Sequence, residues 1–253
     1  DDIYSIVGEC SIKANLGPEV VASKTFTISK DIMVSATFDT VKYNPGETVT
    51  LSISAQKADG SDFIGQFETR NFTDISGEFT EEHDGSIEQT FVISNTQAPG
   101  SYFLEVEAFN TDTSGTTTNN GSINLFLIVK QVPTLIEPTM SSPDIIPGEE
   151  IIVSPKILDQ SGGVIAGTIA IHIESPEGVK YDYNVQSGEA ISIMSDTNDT
   201  KGIWTAYFVY NTLQTDATFE MLGLEKLDYT FSNSVLTIRN IGNVEYFGIV
   251  TVN

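Results

Sequence analysis

Two clusters of oxygen donors stand out along the chain, Asp59, Ser61 and Asp62, and further on Asp196, Asn198 and Asp199. Closely spaced carboxylates and amides in loops are the ligand type that a hard cation such as calcium selects. Neither cluster follows the twelve-residue calcium loop with its terminal glutamate, and Asp and Asn also satisfy turn backbones with no ion present. Calcium held by Asp59 and Asp62, or by Asp196 and Asp199, is therefore one expectation, and plain turn chemistry is the other. A third acidic run, Glu78, Glu81, Glu82 and Asp84, supplies the residue type of a glycosidase pair. Paired catalytic acids need a cleft, however, and this run reads as a solvated loop. Asn71-Phe72-Thr73, Asn120-Gly121-Ser122 and Asn198-Asp199-Thr200 are N-glycosylation sequons, a tripeptide short enough to recur by chance.

Other chemistry is thinly represented. His83 and His172 are the only histidines, too few and too far apart to build a zinc site. Cys10 is the single cysteine, so no disulfide forms within the chain; its alternation places the thiol in a core-facing strand position. That absence does not assign a compartment, because a secreted domain with a sizeable core needs no disulfide. The sequence has no G-x-S-x-G elbow, no phosphate-binding glycine loop, no H-E-x-x-H and no C-x-x-C. With 35 acidic against 12 basic residues, the formal charge of −23 repels nucleic acid and anionic lipid, whose binding depends on Lys and Arg displacing counterions. No apolar run is long enough to span a bilayer, and DDIYSIVGEC lacks the basic start and cleavage site of a signal peptide, so the expectation is a soluble, matured or excised segment.

The elements that carry these residues are strands. Tyr43 to Ala55, YNPGETVTLSISA, returns in weakened form as IIPGEEIIVSPKI at Ile145 to Ile157, an offset of 102 residues. Pro45, Gly46 and Glu47 fall on Pro147, Gly148 and Glu149, and Val49, Leu51, Ile53 and Ala55 fall on Ile151, Val153, Pro155 and Ile157. Alternation of this kind marks a half-buried strand, and Pro-Gly before it marks a turn. The same offset takes Gly60 to Gly162, Gly65 to Gly167, and Gly100-x-Tyr102 to Gly202-x-Trp204, so the chain is a tandem array. No window carries helical periodicity. Short strands separated by turn signals indicate an all-β protein of tandem immunoglobulin-like or fibronectin-like β-sandwiches.

Four segments result. Residues 1–30 read as the two closing strands of a truncated domain, because Gly8, Cys10, Ile12 and Ala14 match Gly100, Tyr102, Leu104 and Val106 in spacing. Residues 31–130 form a first whole sandwich, with strands near 32–39, 47–57, 63–70, 88–94, 101–109 and 121–130. Residues 131–225 form a second, with strands near 150–158, 164–174, 178–185, 189–194, 203–210 and 217–222. Residues 226–253 open a further domain. Asn110 to Ser122, with no apolar residue, is expected to be a mobile hairpin tip, or else a glycosylated or partner-binding one. Trp204, alternating with Ala206 and Phe208, is expected inside; Phe63, Phe67, Phe72, Phe79 and Tyr181 have the core as their default, and His172 is expected to face solvent.

Pro-Gly-Glu before a strand, a central Asp-Gly or Gly-Gly turn and the late G-x-Y/W resemble the macroglobulin-type Ig-like modules of bacterial and archaeal surface proteins. Leu236 to Val252, LTIRNIGNVEYFGIVTV, is similar to the opening of the cell-adhesion-related Ig-like domains of archaeal surface proteins. The resemblance implies an extracellular, non-catalytic part in an envelope, S-layer, stalk or filament, with copies of itself or other envelope proteins as partners. The alternative is an adhesin or glycan-binding segment acting through loop tips. If the incomplete ends complement one another between molecules, deleting residues 1–30 abolishes any polymer.

Overall fold

The structure, a computed structural model, describes residues 7–70, 75 and 79–251. Asn71, Phe72, Thr73 and Glu78 lie outside the described residues. The chain divides into two compact units, residues 1–131 and 132–253, each all-β.

In the first unit, β1 (Gly8–Leu16) and β2 (Glu19–Ile28) form a two-stranded hairpin. The sandwich follows as β3 (Ile32–Phe38), β4 (Lys42–Tyr43), β5 (Thr48–Lys57), β6 (Ile64–Arg70), β7 (Thr80–Asp84), β8 (Ser86–Val92), β9 (Gly100–Thr111) and β10 (Thr117–Val129). One layer is the sheet β4-β10-β9-β6-β7 and the other β3-β5-β8. Their inner faces are the alternate residues read from the sequence: Val49, Leu51, Ile53 and Ala55 on β5 meet Leu104, Val106 and Ala108 on β9 around Phe63 and Phe67. A side-chain period of two forces this, since a slip of one residue would send every apolar group into water.

The second unit repeats the plan with β11 (Pro133–Glu137), β12 (Asp144–Ile145), β13 (Glu150–Val153), β14 (Lys156–Asp159), β15 (Val164–Ile165), β16 (Thr168–Glu174), β17 (Lys180–Gln186), β18 (Ile191–Met194), β19 (Gly202–Tyr210) and β20 (Leu213–Met221). The sheet β12-β20-β19-β16-β17 matches the five-stranded sheet of the first unit strand for strand, including the parallel pairing of the short β12 with β20. The opposite layer is split into β11-β14-β15 and β13-β18. Last comes a hairpin of β21 (Leu227–Ser232) and β22 (Val235–Asn240), closed by Asn233 and Ser234, both at positive φ as a two-residue primed turn requires.

Three sequence expectations need correction. The strand placed at 150–158 is two, because buried Pro155 offers no N–H and the chain changes partner there, β13 pairing β18 while β14 pairs β11. The acidic run at Glu81, Glu82 and Asp84 is not a loop but the edge strand β7, paired with β6 on one side only. Charged residues hide the strand signal and also suit an edge, since they discourage a further strand from pairing there. The hairpin tip is far shorter than Asn110 to Ser122: β9 and β10 stay paired to Thr111 and Thr117 across a small bulge, leaving residues 112–116 as a turn gathered on Asp112. Backbone pairing does not require apolar side chains, and the β-branched run Thr116 to Thr118 favours it.

Candidate functional site

The strongest landmark shared by the two units is a hydrogen bond. Tyr102 Oη donates to the Ala98 carbonyl at 2.7 Å, and 102 residues on Trp204 Nε1 donates to the Thr200 carbonyl at 2.8 Å. Each ties the start of a strand to the loop before it, the arrangement of the tyrosine corner in immunoglobulin-like sandwiches. Trp204 is 3% exposed and stacks between Tyr181 and Phe219, with both centroids at 6.0 Å, so it belongs to the core as its alternation predicts. Phe63 and Phe67 are likewise buried; Phe79 and Tyr181 are half-buried.

The first candidate calcium cluster does turn work. Asp59 Oδ1 accepts from the Ser61 N–H at 3.0 Å and the Ser61 hydroxyl at 2.7 Å, and these bonds, the hydroxyl first, hold its carboxyl below the usual carboxylate range. The same Asp-x-Ser geometry recurs at Asp112 with Ser114 and at Asp159 with Ser161, neither of which stands out as a ligand cluster in sequence. Asp62 lies against Gly85, where an added Cβ would meet its side chain at 3.2 Å. In the second cluster, Asp199 Oδ2 accepts from the Asp196 N–H at 2.8 Å and Oδ1 from the Tyr181 hydroxyl at 3.2 Å, while Asn243 Nδ2 donates to the Asp199 carbonyl at 2.9 Å. Burial, and then the Asp199 charge, push the Tyr181 hydroxyl above its ordinary range. Among the described residues no group of three or more Asp, Glu, His or Cys side chains gathers as a metal would require.

Asn120 is exposed on β10 where the chain crosses from β2 into β3, and its N–H donates to the Lys30 carbonyl at 3.3 Å. Asn198 is exposed in the 195–200 turn, and the hydroxyl of its sequon partner Thr200 donates to Glu177 Oε2 at 3.1 Å. His172 faces solvent with Nδ1 at 2.6 Å from Asp182 Oδ1, and His83 Nε2 stands 3.2 Å from Glu81 Oε2. Between Tyr181, Tyr183, Trp204 and Ile145 lies a cavity of about 30 Å³, room for a water but not for a ligand.

Larger hollows are shallow and open, one of about 350 Å³ over Ser35, Thr37, Ser52 and Ser54 and one of about 320 Å³ over His172, Lys180, Asp182 and Tyr207, and an apolar patch stands open on a sheet face. Phe103 on β9 and Phe126 on β10 sit directly opposite each other on the outer face of the first unit's five-stranded sheet, ring centroids 6.3 Å apart and 65% and 49% exposed. Beyond them on that face Arg70 bridges Glu68 at 2.8 Å and Glu107 at 2.9 Å. Sequence reasoning passed over this pair, although the signal was present: Tyr102 and Leu104 turn inward, so Phe103 must turn outward, and Leu125 and Leu127 do the same for Phe126. The two end hairpins are open as well. On β21–β22 every apolar residue but Val235 lies on one face, with Tyr229 74% and Phe231 71% exposed.

No protein-family model and no curated protein matches the chain. Among solved structures the chain is similar to the Escherichia coli adhesin FdeC, at 13% identity and a TM-score of 0.39, covering 86% of this chain and 74% of that one. It is similar to the Yersinia pseudotuberculosis adhesin InvE at 12% identity and a TM-score of 0.36, covering 74% of this chain and 58% of that one. Against a Salmonella alpha-2-macroglobulin reacted with methylamine, the figures are 12% and 0.29, with 91% of this chain on 20% of that one. At these identities and TM-scores the likeness carries no conclusion about function.

Proposed function

We propose that this chain is a non-catalytic structural segment of a cell envelope, stalk or filament, displayed outside the cell and built to be repeated. One observation carries the reading: hydrogen-bonding side chains serve turns and strand starts of the same kind in both sandwiches, and exposed aromatic residues lie on an open sheet face. Such a surface suits contact with other protein modules. Its acidity, with both sandwiches rich in Asp and Glu, favours solubility of a tandem array. Immunogold labelling of intact cells of the source organism is expected to decorate the exterior; label confined to permeabilised cells would overturn the reading.

A glycan- or protein-binding segment is the second reading, and Phe103 with Phe126 favours it. Two exposed aromatic rings on a rigid sheet offer a platform for an apolar or sugar face. In that case the ligand sits on the sheet and not on the 112–116 turn. A glycan array probed with the chain and with Phe103→Ser/Phe126→Ser separates the two readings: specific binding lost in the variant selects the platform, and a blank array retains the structural segment.

A further inference from the structure

Each five-stranded sheet ends on a strand with one side unpaired, β7 in the first unit and β17 in the second. The bonds that flank β17 show which of its backbone groups face which way. The Ser175 N–H donates to the Val179 carbonyl at 2.9 Å, and the Ser187 N–H to the Gly167 carbonyl at 2.8 Å. Antiparallel pairs alternate between bonded and unbonded, so Tyr181, Tyr183 and Val185, opposite Ile173, Ile171 and Ile169, turn their N–H and C=O groups to β16. Lys180, Asp182 and Asn184 therefore turn theirs to the open side, and among the described residues no hydrogen bond within the chain takes them up. The same count on β7, from Thr69 with Phe79 and Gly85 with Phe63, leaves Thr80, Glu82 and Asp84 turned outward.

The two edges are guarded differently. On β7 the side chains on the core side of the sheet are Glu81 and His83, opposite Phe67 and Gly65. A further strand would have to bury that carboxylate, and an inward-pointing charge is one of the devices by which a sheet refuses extra partners. β17 has no such guard: its core-side residues are Tyr181 and Tyr183, half-buried, and Val185, buried. The charges on its outer side are drawn back onto β16, Lys180 Nζ to Glu174 at 3.6 Å and Asp182 to His172 at 2.6 Å. The surroundings of this edge are acidic. Asp199 accepts from the Tyr181 hydroxyl and from the Asp196 N–H, Glu177 accepts from Thr200 at one end, and the Glu189 N–H donates to the Gln186 carbonyl at the other. With Asp182 these carboxylates outnumber Lys180, and a chain of net charge −23 repels a second copy of itself, so charge favours a basic occupant.

We propose that the open edge of β17 takes up an extended segment of a basic partner protein, laid antiparallel as an added strand in which Lys or Arg alternates with aliphatic residues. In that arrangement the residues bonded to Lys180, Asp182 and Asn184 point their side chains to the outer face, where a basic group meets Asp182. The residues between them set aliphatic side chains beside Tyr181 and Tyr183. Main-chain bonds supply the affinity and the alternation supplies the selectivity. The contact goes beyond the structural-segment reading, since it names a backbone edge in place of a sheet face and a partner of opposite charge.

A peptide of about eight residues with Lys and Val alternating, blocked at both ends, is long enough to span β17 and tests this on the whole chain by calorimetry and amide hydrogen exchange. Binding is expected at a Kd on the order of 100 μM or tighter, weaker at high salt, with exchange slowed at Lys180, Asp182 and Asn184 and unchanged at Glu82 of β7. Methylating the Lys amides of the peptide removes the donors that face β17 and is expected to abolish binding; methylating the Val amides, which face away, is expected to leave it. In the chain, Asn184→Pro removes an outward N–H and spares the bonds to β16, so binding should weaken by about tenfold or more with the Trp204 fluorescence melt unmoved. Asp182→Lys, which leaves the backbone alone, is expected to weaken it severalfold and keeps the test open if the proline variant fails to fold. Binding that survives methylation of the Lys amides is charge attraction alone and overturns the proposal. So do an absence of binding, a loss on methylating the Val amides, and a chain that dimerises through this edge by itself. A chain labelled outside the cell that ignores the peptide sinks this inference and spares the functional reading; a chain that binds it but is labelled only inside does the reverse.

Discussion

The two sandwiches share one five-stranded sheet and part company in the layer opposite it. In the first, β5 runs unbroken between β3 and β8; in the second, Pro155 stands at the position of Ile53 and cuts the layer in two. The corner next to it differs in kind. Tyr43 Oη donates to Asp39 Oδ1 at 2.7 Å, and the Thr50 N–H donates to the same oxygen at 2.8 Å. At the matching positions are Ser141, Ile145 and Ile152, where the Ile152 N–H donates to the Ser141 hydroxyl at 3.0 Å. A carboxylate and a phenol have been exchanged for a hydroxyl and a hydrocarbon with the backbone bond retained. The frame is thus held by backbone pairing and apolar alternation, and the polar corner is replaceable.

The largest effects test the core and the split layer. Trp204→Ala removes the ring stacked between Tyr181 and Phe219 and the bond to Thr200, and is expected to cost the second unit about 3–5 kcal/mol, read by hydrogen exchange resolved along the chain, with the first unit unmoved. Ile53→Pro puts a residue without an N–H into a strand paired on both sides, at an expected cost of about 3 kcal/mol or more to the first unit. The reverse change, Pro155→Ile, is expected to move the second unit by less than about 1 kcal/mol; if both changes cost alike, the split is not what distinguishes the layers.

Smaller effects sharpen the corner. Tyr43→Phe leaves the ring in place and removes one hydrogen bond, an expected loss of about 1 kcal/mol from the first unit. The Tyr43 hydroxyl, and then the Thr50 N–H, hold the Asp39 carboxyl below its ordinary range. The depressed value means that its contribution is full above the unfolded pKa, about 3.9, and is lost as pH falls through the folded one. An acid titration by hydrogen exchange should show the first unit losing this increment, and Asp39→Ser, which copies the second unit, should abolish it. Smallest of all is calcium. With Asp59 and Asp199 already accepting from chain donors, millimolar calcium is expected to leave the melt unchanged; a clear upward shift, lost in Asp59→Ala or Asp199→Ala, would restore the ion to the account.

Strands with one buried face were legible in sequence, because burial writes a period of two into them: β5 alternates Val49, Leu51, Ile53 and Ala55 with Thr and Ser, and β19 sets Trp204, Ala206 and Phe208 on its inner face. The strands missed lack that imprint. The edge strand β7, Thr80-Glu81-Glu82-His83-Asp84, has no apolar residue, and β4 and β12 are two residues long, held by parallel pairing to a strand far along the chain. The oxygen clusters were legible as residues and ambiguous as chemistry, since a turn and a cation ask for the same donors. Phe103 and Phe126 were written in the same alternation as the core, and needed only to be read from the other side of the strand.

Pro155 has a further consequence when the chain is made. Neighbouring domains with matching registers can trade strands while they fold, and the more alike they are, the easier the trade. A β13–β14 segment carrying proline at its centre cannot take the place of β5, which is paired along both edges. The first sandwich is thereby closed to the counterfeit that leaves the ribosome after it, and a repeating protein keeps its repeats apart.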